Sequence, residues 1–192
     1  MKIAIFSDTH DHIWNLRKAV SQALELGVET IIHCGDLISP FMLEELDAFP
    51  GKIHLIYGNN TGDQALLARH CQARTDRVTH HGWMGRLKVE GISIGWIHDP
   101  ALAYLAARSG EFDLVCYGHT HRWRIEFVGQ TVLLNPGEIL GKKEPAGWAL
   151  LKIAQGSKWE AQDGKFKAER REGERVIGQG FEIKRIHING VR

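Results

Sequence analysis

The sequence predicts an α/β protein, and three observations support this. In the first half of the chain, short apolar runs alternate with amphipathic segments, which favours a parallel sheet with right-handed βαβ connections. In the second half, apolar runs separated by tight turns favour antiparallel hairpins. Polar residues that commonly bind metals follow several predicted strands, at the sheet edge where α/β proteins bind ligands.

The first helix is the most clearly marked element, and it is predicted over residues 12–26. Apolar residues recur there at helical spacing, namely Ile13, Leu16, Val20 and Leu24. Asp11 is expected to cap its start and Gly27 to end it.

The other elements follow the same rules of periodicity and turn chemistry. Strands are predicted at residues 2–6, 29–33, 53–57, 77–80, 85–90, 92–97, 113–117, 123–128, 131–134, 147–153 and 181–188. Further helices are predicted at residues 40–48, 63–74 and 99–109. Glu90-Gly91 and Gly129-Gln130 are expected to be hairpin turns, and the charged residues 157–175 a solvated hairpin or loop.

Composition sets the broad class. A chain of 192 residues, 43% apolar and 24% charged, suits one globular domain with a small addition. The net charge of +1 favours neither nucleic acid nor an anionic membrane as a partner. No apolar run is long enough for a membrane helix, and the apolar N-terminal stretch is too short for a secretory signal, so a cytoplasmic location is expected.

Cysteines and histidines differ in what they suggest. Cys34, Cys71 and Cys116 match no cysteine metal motif and are expected to be buried, reduced thiols. Histidine is a common metal ligand, and the chain has 11 histidines.

Potential metal ligands follow five predicted strands. They are Asp8 and His10, Asp36, Asn59, His98, and His119 with His121. The members of each pair are two residues apart, so on a continued strand they would point the same way. Glycine precedes Asp36, Asn59 and His119, which permits a sharp turn close to a bound ion. Carboxylate, imidazole and amide donors together suit Mn²⁺, Fe²⁺ or Zn²⁺.

Each motif alone also has an ordinary explanation. Asp8 and His10 could be a helix cap and a surface histidine, while Gly35-Asp36 and Gly58-Asn59 could be simple turns. His98 could be a core histidine. The occurrence of all five motifs at strand ends is what favours a metal centre.

The ordered motifs Asp-x-His, Gly-Asp, Gly-Asn, His and Gly-His-x-His resemble those of the calcineurin-like metallophosphoesterase superfamily. The resemblance covers about residues 1–153, and the short chain and Asn135-Pro136-Gly137 are similar to its small bacterial and archaeal phosphodiesterase branch. It implies a four-layer α/β/β/α sandwich of two mixed sheets flanked by helices. Residues 1–155 would form this domain, and residues 156–192 a charged extension packed on it.

The resemblance also implies two metal sites. One would use Asp8, His10, Asp36 and His121, and the other Asp36, Asn59, His98 and His119, with Asp36 bridging. Mn²⁺ is the expected metal, with Fe, Zn or Ni as alternatives. Asp36, Asn59 and His98 are expected to be catalytic. Two ions would share a water and supply a bridging hydroxide for attack on phosphorus.

The chain departs from the family pattern near the third and fourth motifs. Many relatives have a histidine after the motif asparagine, proposed to protonate the leaving group, and the small branch often has cysteine and aspartate there, whereas this chain has Asn60 and Thr61. Asp99 replaces the usual glycine and is expected to cap the following helix. Asn60 and Arg122 are expected to contact the substrate, and Trp123 and Arg124 could do so or form a solvated hairpin edge.

The resulting hypothesis is a phosphodiesterase that acts on a small phosphoester. A phosphomonoesterase or nucleotidase is the enzymatic alternative, and a non-catalytic scaffold that keeps the metal site is the other. A nuclease fits the fold but not the flat net charge. No membrane partner is expected, and a homodimer is left open.

Overall fold

The computed structural model describes residues 1–154, 168–172, 175–178 and 180–188. Its strands are β1 (Lys2–Phe6), β2 (Thr30–His33), β3 (Lys52–Leu55), β4 (Val78–His80), β5 (Met84–Val89), β6 (Ile92–Ile97), β7 (Leu114–Cys116), β8 (Trp123–Val128), β9 (Thr131–Pro136), β10 (Gly147–Ile153), β11 (Ala168–Glu172), β12 (Arg175–Gly178) and β13 (Phe181–His187). Its helices are α1 (Ile13–Glu25), α2 (Gln64–Gln72), α3 (Pro100–Arg108) and a 3-10 helix at Pro40–Leu46.

The described strands form two mixed sheets. The larger sheet has the order β11-β12-β13-β10-β1-β2-β3-β4, in which β1 to β4 are parallel and the other pairings are antiparallel. The smaller sheet has the order β5-β6-β7-β9-β8, with β6, β7 and β9 parallel. Helical crossovers connect the parallel pairs β1–β2, β3–β4 and β6–β7, and tight turns connect the antiparallel pairs β5–β6 and β8–β9.

Three apolar clusters hold four layers together. The strand β1 is buried on both sides: Ala4 and Phe6 pack with α1, whereas Ile3 and Ile5 pack against the smaller sheet. On the outer face of the smaller sheet, Ala103 of α3 packs in a third cluster. Strands covered on both faces are apolar throughout, which explains the uninterrupted apolar runs. The predicted α/β/β/α sandwich is confirmed.

Several local predictions need correction. His12, not Asp11, caps α1: its Nδ1 accepts a hydrogen bond from the backbone N–H of Asn15 at 3.2 Å. Asp11 instead accepts one from the backbone of Ser39 at 2.7 Å. The predicted helix at 40–48 is a 3-10 helix, and the strand predicted at 53–57 ends at Leu55.

The charged C-terminal segment is described only in part. Residues 155–167 and 173–174 lie outside the described ranges, so most of the predicted hairpin or loop at 157–175 does too. The described strands β11 and β12 pair with each other, and β12 pairs with β13. The strand β13 in turn pairs with β10 along its whole length.

The structure also bears on the three cysteines and on the lengths of the helices. All three cysteines are buried and free, as predicted. None of the helices in the described ranges has the length and apolar character needed to cross a membrane.

Candidate metal centre

The seven predicted ligand residues meet at one end of the two sheets. They lie just after β1, β2, β3, β6 and β7, so each sheet contributes ligands. The buried members are Asp8, Asp36, His98 and His121, the half-buried member is His10, and the exposed members are Asn59 and His119. The cluster is therefore closed on the protein side and open to solvent beside Asn59 and His119.

Asp8, His10 and His121 form a first group of donor atoms. The Nε2 atoms of the two histidines lie 3.3 Å apart, and their rings are stacked with centroids 4.9 Å apart. Asp8 Oδ1 lies 3.7 Å from His10 Nε2 and 3.4 Å from His121 Nε2. Asp8 Oδ2 accepts hydrogen bonds from the Ser7 hydroxyl at 2.6 Å and the His119 backbone at 3.1 Å. These bonds turn Oδ1 toward the histidines.

Asp36, His98, Asn59 and His119 form the second group. Asp36 Oδ2 lies 3.5 Å from His98 Nε2. Asn59 Oδ1 lies 3.0 Å from His98 Nε2 and 2.7 Å from His119 Nδ1. The carboxylate, amide and imidazole donors of this group thus point to a common space.

Two carboxylates lie between the groups. Asp36 Oδ2 is 3.4 Å from His10 Nε2 in the first group as well as close to His98. Asp8 Oδ1 is 4.0 Å from His98 Nε2 in the second group. Each carboxylate therefore lies close to histidines of both groups, and the bridging role of Asp36 stays a prediction.

The donor atoms fit divalent metal ions. Two imidazole nitrogens on one ion, each bound at about 2.0–2.1 Å with tetrahedral angles, lie roughly 3.4 Å apart. The separation of 3.3 Å between His10 Nε2 and His121 Nε2 matches that spacing. Buried carboxylates within 4 Å of imidazole nitrogens also suit Mn²⁺, Fe²⁺ or Zn²⁺ chemically.

The ligand loops have an unusual backbone. Asp8, His10, Asp36, His119 and His121 all have positive φ, between 46° and 68°. Such a conformation is unfavourable for residues other than glycine and is concentrated at functional sites. It also corrects one expectation: neither pair lies on a continued strand, since β1 ends at Phe6 and β7 at Cys116. Left-handed turns, not strand alternation, direct the paired side chains inward.

Two of the glycines make room for the carboxylates. A Cβ on Gly58 would lie 2.0 Å from Asp36 Oδ1, and a Cβ on Gly118 would lie 2.8 Å from Asp8 Oδ2. These two glycines therefore allow the backbone to lie close to the carboxylates of Asp36 and Asp8.

Sequence reasoning missed the residues that orient the histidines. Glu138 is fully buried, and its Oε2 lies 2.6 Å from His121 Nδ1. The backbone carbonyl of Cys34 lies 2.7 Å from His98 Nδ1. Each contact places the proton on Nδ1 and leaves Nε2 free for a metal. Glu138 directly follows Asn135-Pro136-Gly137, but no periodicity marks a carboxylate there as buried.

Asn60 contacts the metal centre itself. Its backbone N–H donates to Asp36 Oδ1 at 2.8 Å, and its side-chain Nδ2 donates to Asp36 Oδ2 at 2.7 Å. Burial alone would raise the pKa of Asp36, but the hydrogen bonds with His98 and Asn60 outweigh it and lower this pKa to about 2. Asp36 is therefore a carboxylate at any ordinary pH. The substrate contact predicted for Asn60 stays a prediction.

The remaining predicted site residues lie around the rim. Arg122 is exposed and directly follows His121, and its predicted substrate contact also stays a prediction. Arg124 pairs with Glu126 at 2.6 Å. Asp99 caps α3 as expected, since its Oδ1 accepts hydrogen bonds from the backbone of residues 101 and 102 at 2.8 and 2.9 Å.

Comparison with known proteins agrees with this geometry. The family model of the calcineurin-like phosphoesterase superfamily domain matches residues 1–156. A phosphodiesterase of Methanocaldococcus jannaschii is 35% identical over 155 residues, which cover 73% of this chain and 86% of that protein.

Two solved structures show the same fold. One, of a novel archaeal phosphodiesterase, is 33% identical with a TM-score of 0.74, and the match covers 79% of this chain and 93% of that one. The other is Vps29 of Entamoeba histolytica complexed with Zn²⁺, at 17% identity and a TM-score of 0.60, covering 98% of this chain and all of that one. At this low identity the second likeness concerns the fold alone.

Proposed function

Because the chain belongs to the calcineurin-like phosphoesterase superfamily, we propose that it is a metal-dependent phosphodiesterase that hydrolyses a small phosphoester. The family match confirms the resemblance inferred from the motifs. The observation that supports the proposal is that seven donor residues, which follow strands of both sheets, lie in one cluster that is open to solvent at Asn59 and His119.

We propose that the cluster holds two divalent ions. Asp8, His10 and His121 would hold one and Asn59, His98 and His119 the other, with Asp36 shared between them. Bound ions of this kind supply a hydroxide nucleophile near neutral pH and neutralise charge that develops on phosphoryl oxygens. The chain's own residues fix the donors in advance: Glu138 and the Cys34 carbonyl orient two imidazoles, and Asn60 orients Asp36.

A phosphodiesterase is favoured over the alternatives. The relative described as a phosphodiesterase matches over 86% of its own length, which supports that activity over a phosphomonoesterase or nucleotidase. All seven ligand positions of this chain are filled, which argues against a non-catalytic scaffold. Mn²⁺ as the metal, a cytoplasmic location and a homodimer are further proposals carried over from the sequence.

The direct test is hydrolysis of bis(p-nitrophenyl) phosphate by the full chain, with Mn²⁺ and after chelation. We expect chelation to abolish hydrolysis and Mn²⁺ to restore it. Asp36→Asn should lower kcat/KM by more than about 100-fold, since loss of a residue that only orients a ligand already costs 10–100-fold. Asp76→Asn, at an exposed carboxylate before β4, is the matched control and should retain activity.

Elemental analysis of the same samples separates the two parts of the proposal. Two Mn²⁺ ions per chain are expected, and Asp36→Asn should lose both. Hydrolysis that survives complete metal removal would contradict metal dependence. One ion per chain in an active protein would contradict the dinuclear centre.

A further inference from the structure

A pocket of about 250 Å³ opens directly beside the candidate metal centre. Its apolar wall consists of Tyr57, Trp83, Ile97 and Leu102. It shares Asn59, His98 and His119 with the centre, and Asn59 and His119 are the ligands exposed to solvent. A molecule bound at the exposed side of the centre would therefore lie next to this wall.

The aromatic part of the wall is held in position. The ring centroids of Tyr57 and Trp83 lie 5.2 Å apart at an interplanar angle of 53°. The Tyr57 backbone N–H donates to the Gly82 carbonyl at 2.7 Å, which ties the turn carrying Trp83 to the end of β3. The Tyr57 ring also contacts the His80 ring, with centroids 4.1 Å apart. The two aromatic side chains thus form a fixed surface.

This surface exposes apolar area next to a strongly polar cluster. The side chain of Trp83 is 58% exposed and that of Leu102 is 52% exposed. Large exposed apolar side chains grouped at the edge of a polar site are typical of ligand-binding grooves.

The charge and volume of this pocket define which chemical groups it can hold. Of the described residues, no lysine or arginine lines the pocket, and its carboxylate, Asp99, already accepts two backbone hydrogen bonds at the start of α3. A second phosphate group would find no cation there. The volume is below the roughly 300–1,000 Å³ of sites for drug-sized molecules, so it suits one uncharged ring system.

We propose that this pocket binds the aromatic ring of an ester group of the substrate, such as an aryl ring or the base of a nucleoside, against Tyr57 and Trp83. The phosphoryl group of the same molecule lies at the metal centre. This inference rests on the proposed function, and it narrows the substrate class to phosphodiesters with at least one aromatic ester group.

Calorimetric titration of the Mn²⁺-loaded full chain with phenylphosphonate and methylphosphonate tests the proposal. Both compounds carry the same non-hydrolysable anion, and only one carries a ring. Stacking of a base on an aromatic side chain corresponds to roughly 5- to 150-fold in affinity, so phenylphosphonate should bind about tenfold tighter or more. Trp83→Ala should reduce this preference to below about threefold, and Trp83→Phe should keep most of it.

Trp14→Ala is the matched control, because Trp14 is a 67% exposed tryptophan on α1 that does not line this pocket. It should leave the preference unchanged. Equal affinity for the two phosphonates, or an unchanged preference in Trp83→Ala, would overturn the proposed subsite. If the protein still hydrolyses bis(p-nitrophenyl) phosphate, the proposed function stands without it. If neither phosphonate binds and hydrolysis is absent as well, the proposed function fails together with it.

Discussion

At the residue scale, His121 shows how a candidate metal ligand is held in one orientation. One ring nitrogen faces Asp8 and His10, and the other lies 2.6 Å from the buried Glu138. Glu138 is itself fixed by the backbone, since its Oε1 accepts hydrogen bonds from the N–H groups of Lys143 and Glu144. The orientation of His121 is thus set by a carboxylate that belongs to neither metal group.

Replacing this carboxylate should weaken metal binding. We expect Glu138→Gln to lower Mn²⁺ affinity by about 10–100-fold, the usual effect of losing a partner that orients a metal-ligating histidine. Titration of the metal-free variant with Mn²⁺ measures it, with Glu126→Gln at the surface as the control. Unchanged affinity in Glu138→Gln would contradict the orienting role.

Asn60 holds the other end of the centre through Asp36. Asn60→Leu keeps the size of the side chain but removes the 2.7 Å hydrogen bond to Asp36 Oδ2. A hydrogen bond to a charged group contributes about 1.5–3 kcal/mol, so we expect Mn²⁺ affinity to fall by roughly tenfold or more. The neighbouring Thr61→Val serves as the control in the same titration, and an equal effect of both variants would argue against a specific role.

The clustering of the seven candidate ligands could be predicted, because metal-binding residue types at strand ends are visible in the sequence, and their role as ligands stays a prediction. The support around them could not be predicted in the same way. Glu138 lies 17 residues from His121, and its burial depends on how the loop after β9 folds back. The contact of His98 Nδ1 with the Cys34 carbonyl spans 64 residues and uses a backbone atom, which leaves no residue signature.

At the scale of elements, the loops that carry the ligands depend on glycine. Gly58→Ala would place a Cβ 2.0 Å from Asp36 Oδ1 and 2.4 Å from the Asp36 backbone nitrogen. The loop after β2 or the loop after β3 must then move, which displaces Asp36 or Asn59.

We therefore expect Gly58→Ala to lower both Mn²⁺ affinity and the melting temperature. Gly110→Ala is a useful comparison, because nothing lies within 4 Å of its added Cβ although its φ is +75°. That variant should lose only about 1 kcal/mol of stability and keep its affinity for Mn²⁺. Normal Mn²⁺ binding by Gly58→Ala would show that the loops can adjust.

Most elements could be predicted from periodicity, and the exceptions have physical reasons. The segment Pro40–Leu46 is a 3-10 helix whose buried residues include Pro40, Leu43 and Leu46. Their spacing of three matches a helix of three residues per turn, a signal that a search for α-helical periodicity overlooks. Asp11 does not cap α1, because its side chain accepts a hydrogen bond from the backbone of Ser39, a residue that is distant in sequence.

At the scale of the whole molecule, the contact between the two sheets includes histidines. His54 on β3 and His81 lie with their ring nitrogens 3.0 Å apart, and both rings contact Trp96 of the smaller sheet. Burial, helped by the charges of His81 and Lys52, lowers the pKa of His54 to about 4. The sheets therefore pack around an imidazole that is neutral when the protein is folded.

This packing predicts a loss of stability in acid. Between pH of about 4 and 6.5 the unfolded chain binds a proton at His54 that the folded chain does not, so the free energy of unfolding falls as the pH falls through this range. We expect His54→Gln to reduce that pH dependence. Denaturant unfolding of the metal-free protein from pH 7 to pH 4 measures it, and an unchanged dependence in the variant would contradict the assignment.

The candidate metal centre brings together segments that are far apart in the chain and that belong to different sheets. His10 and His121 are 111 residues apart, and Asn59 and His119 are 60 apart. All three cysteines are free, so no disulfide links the two sheets, and bound ions would add coordinate bonds to the hydrogen bonds already present between them. Bound ions would close long loops, as disulfides do in secreted proteins.

These long loops have a consequence for the unfolding rate of the protein. If the last step of folding is the meeting of the two sheets at the ligand loops, the ions bind only after the main barrier, and their stabilisation appears in the unfolding rate. We expect Mn²⁺ to slow unfolding in denaturant by tenfold or more relative to the chelated protein and to leave the refolding rate nearly unchanged. Stopped-flow measurements of both rates test this. If Mn²⁺ speeds refolding and leaves the unfolding rate unchanged, the centre forms before the main folding barrier. A chain without disulfides would then owe its lifetime in the folded state to the same ions that make it an enzyme.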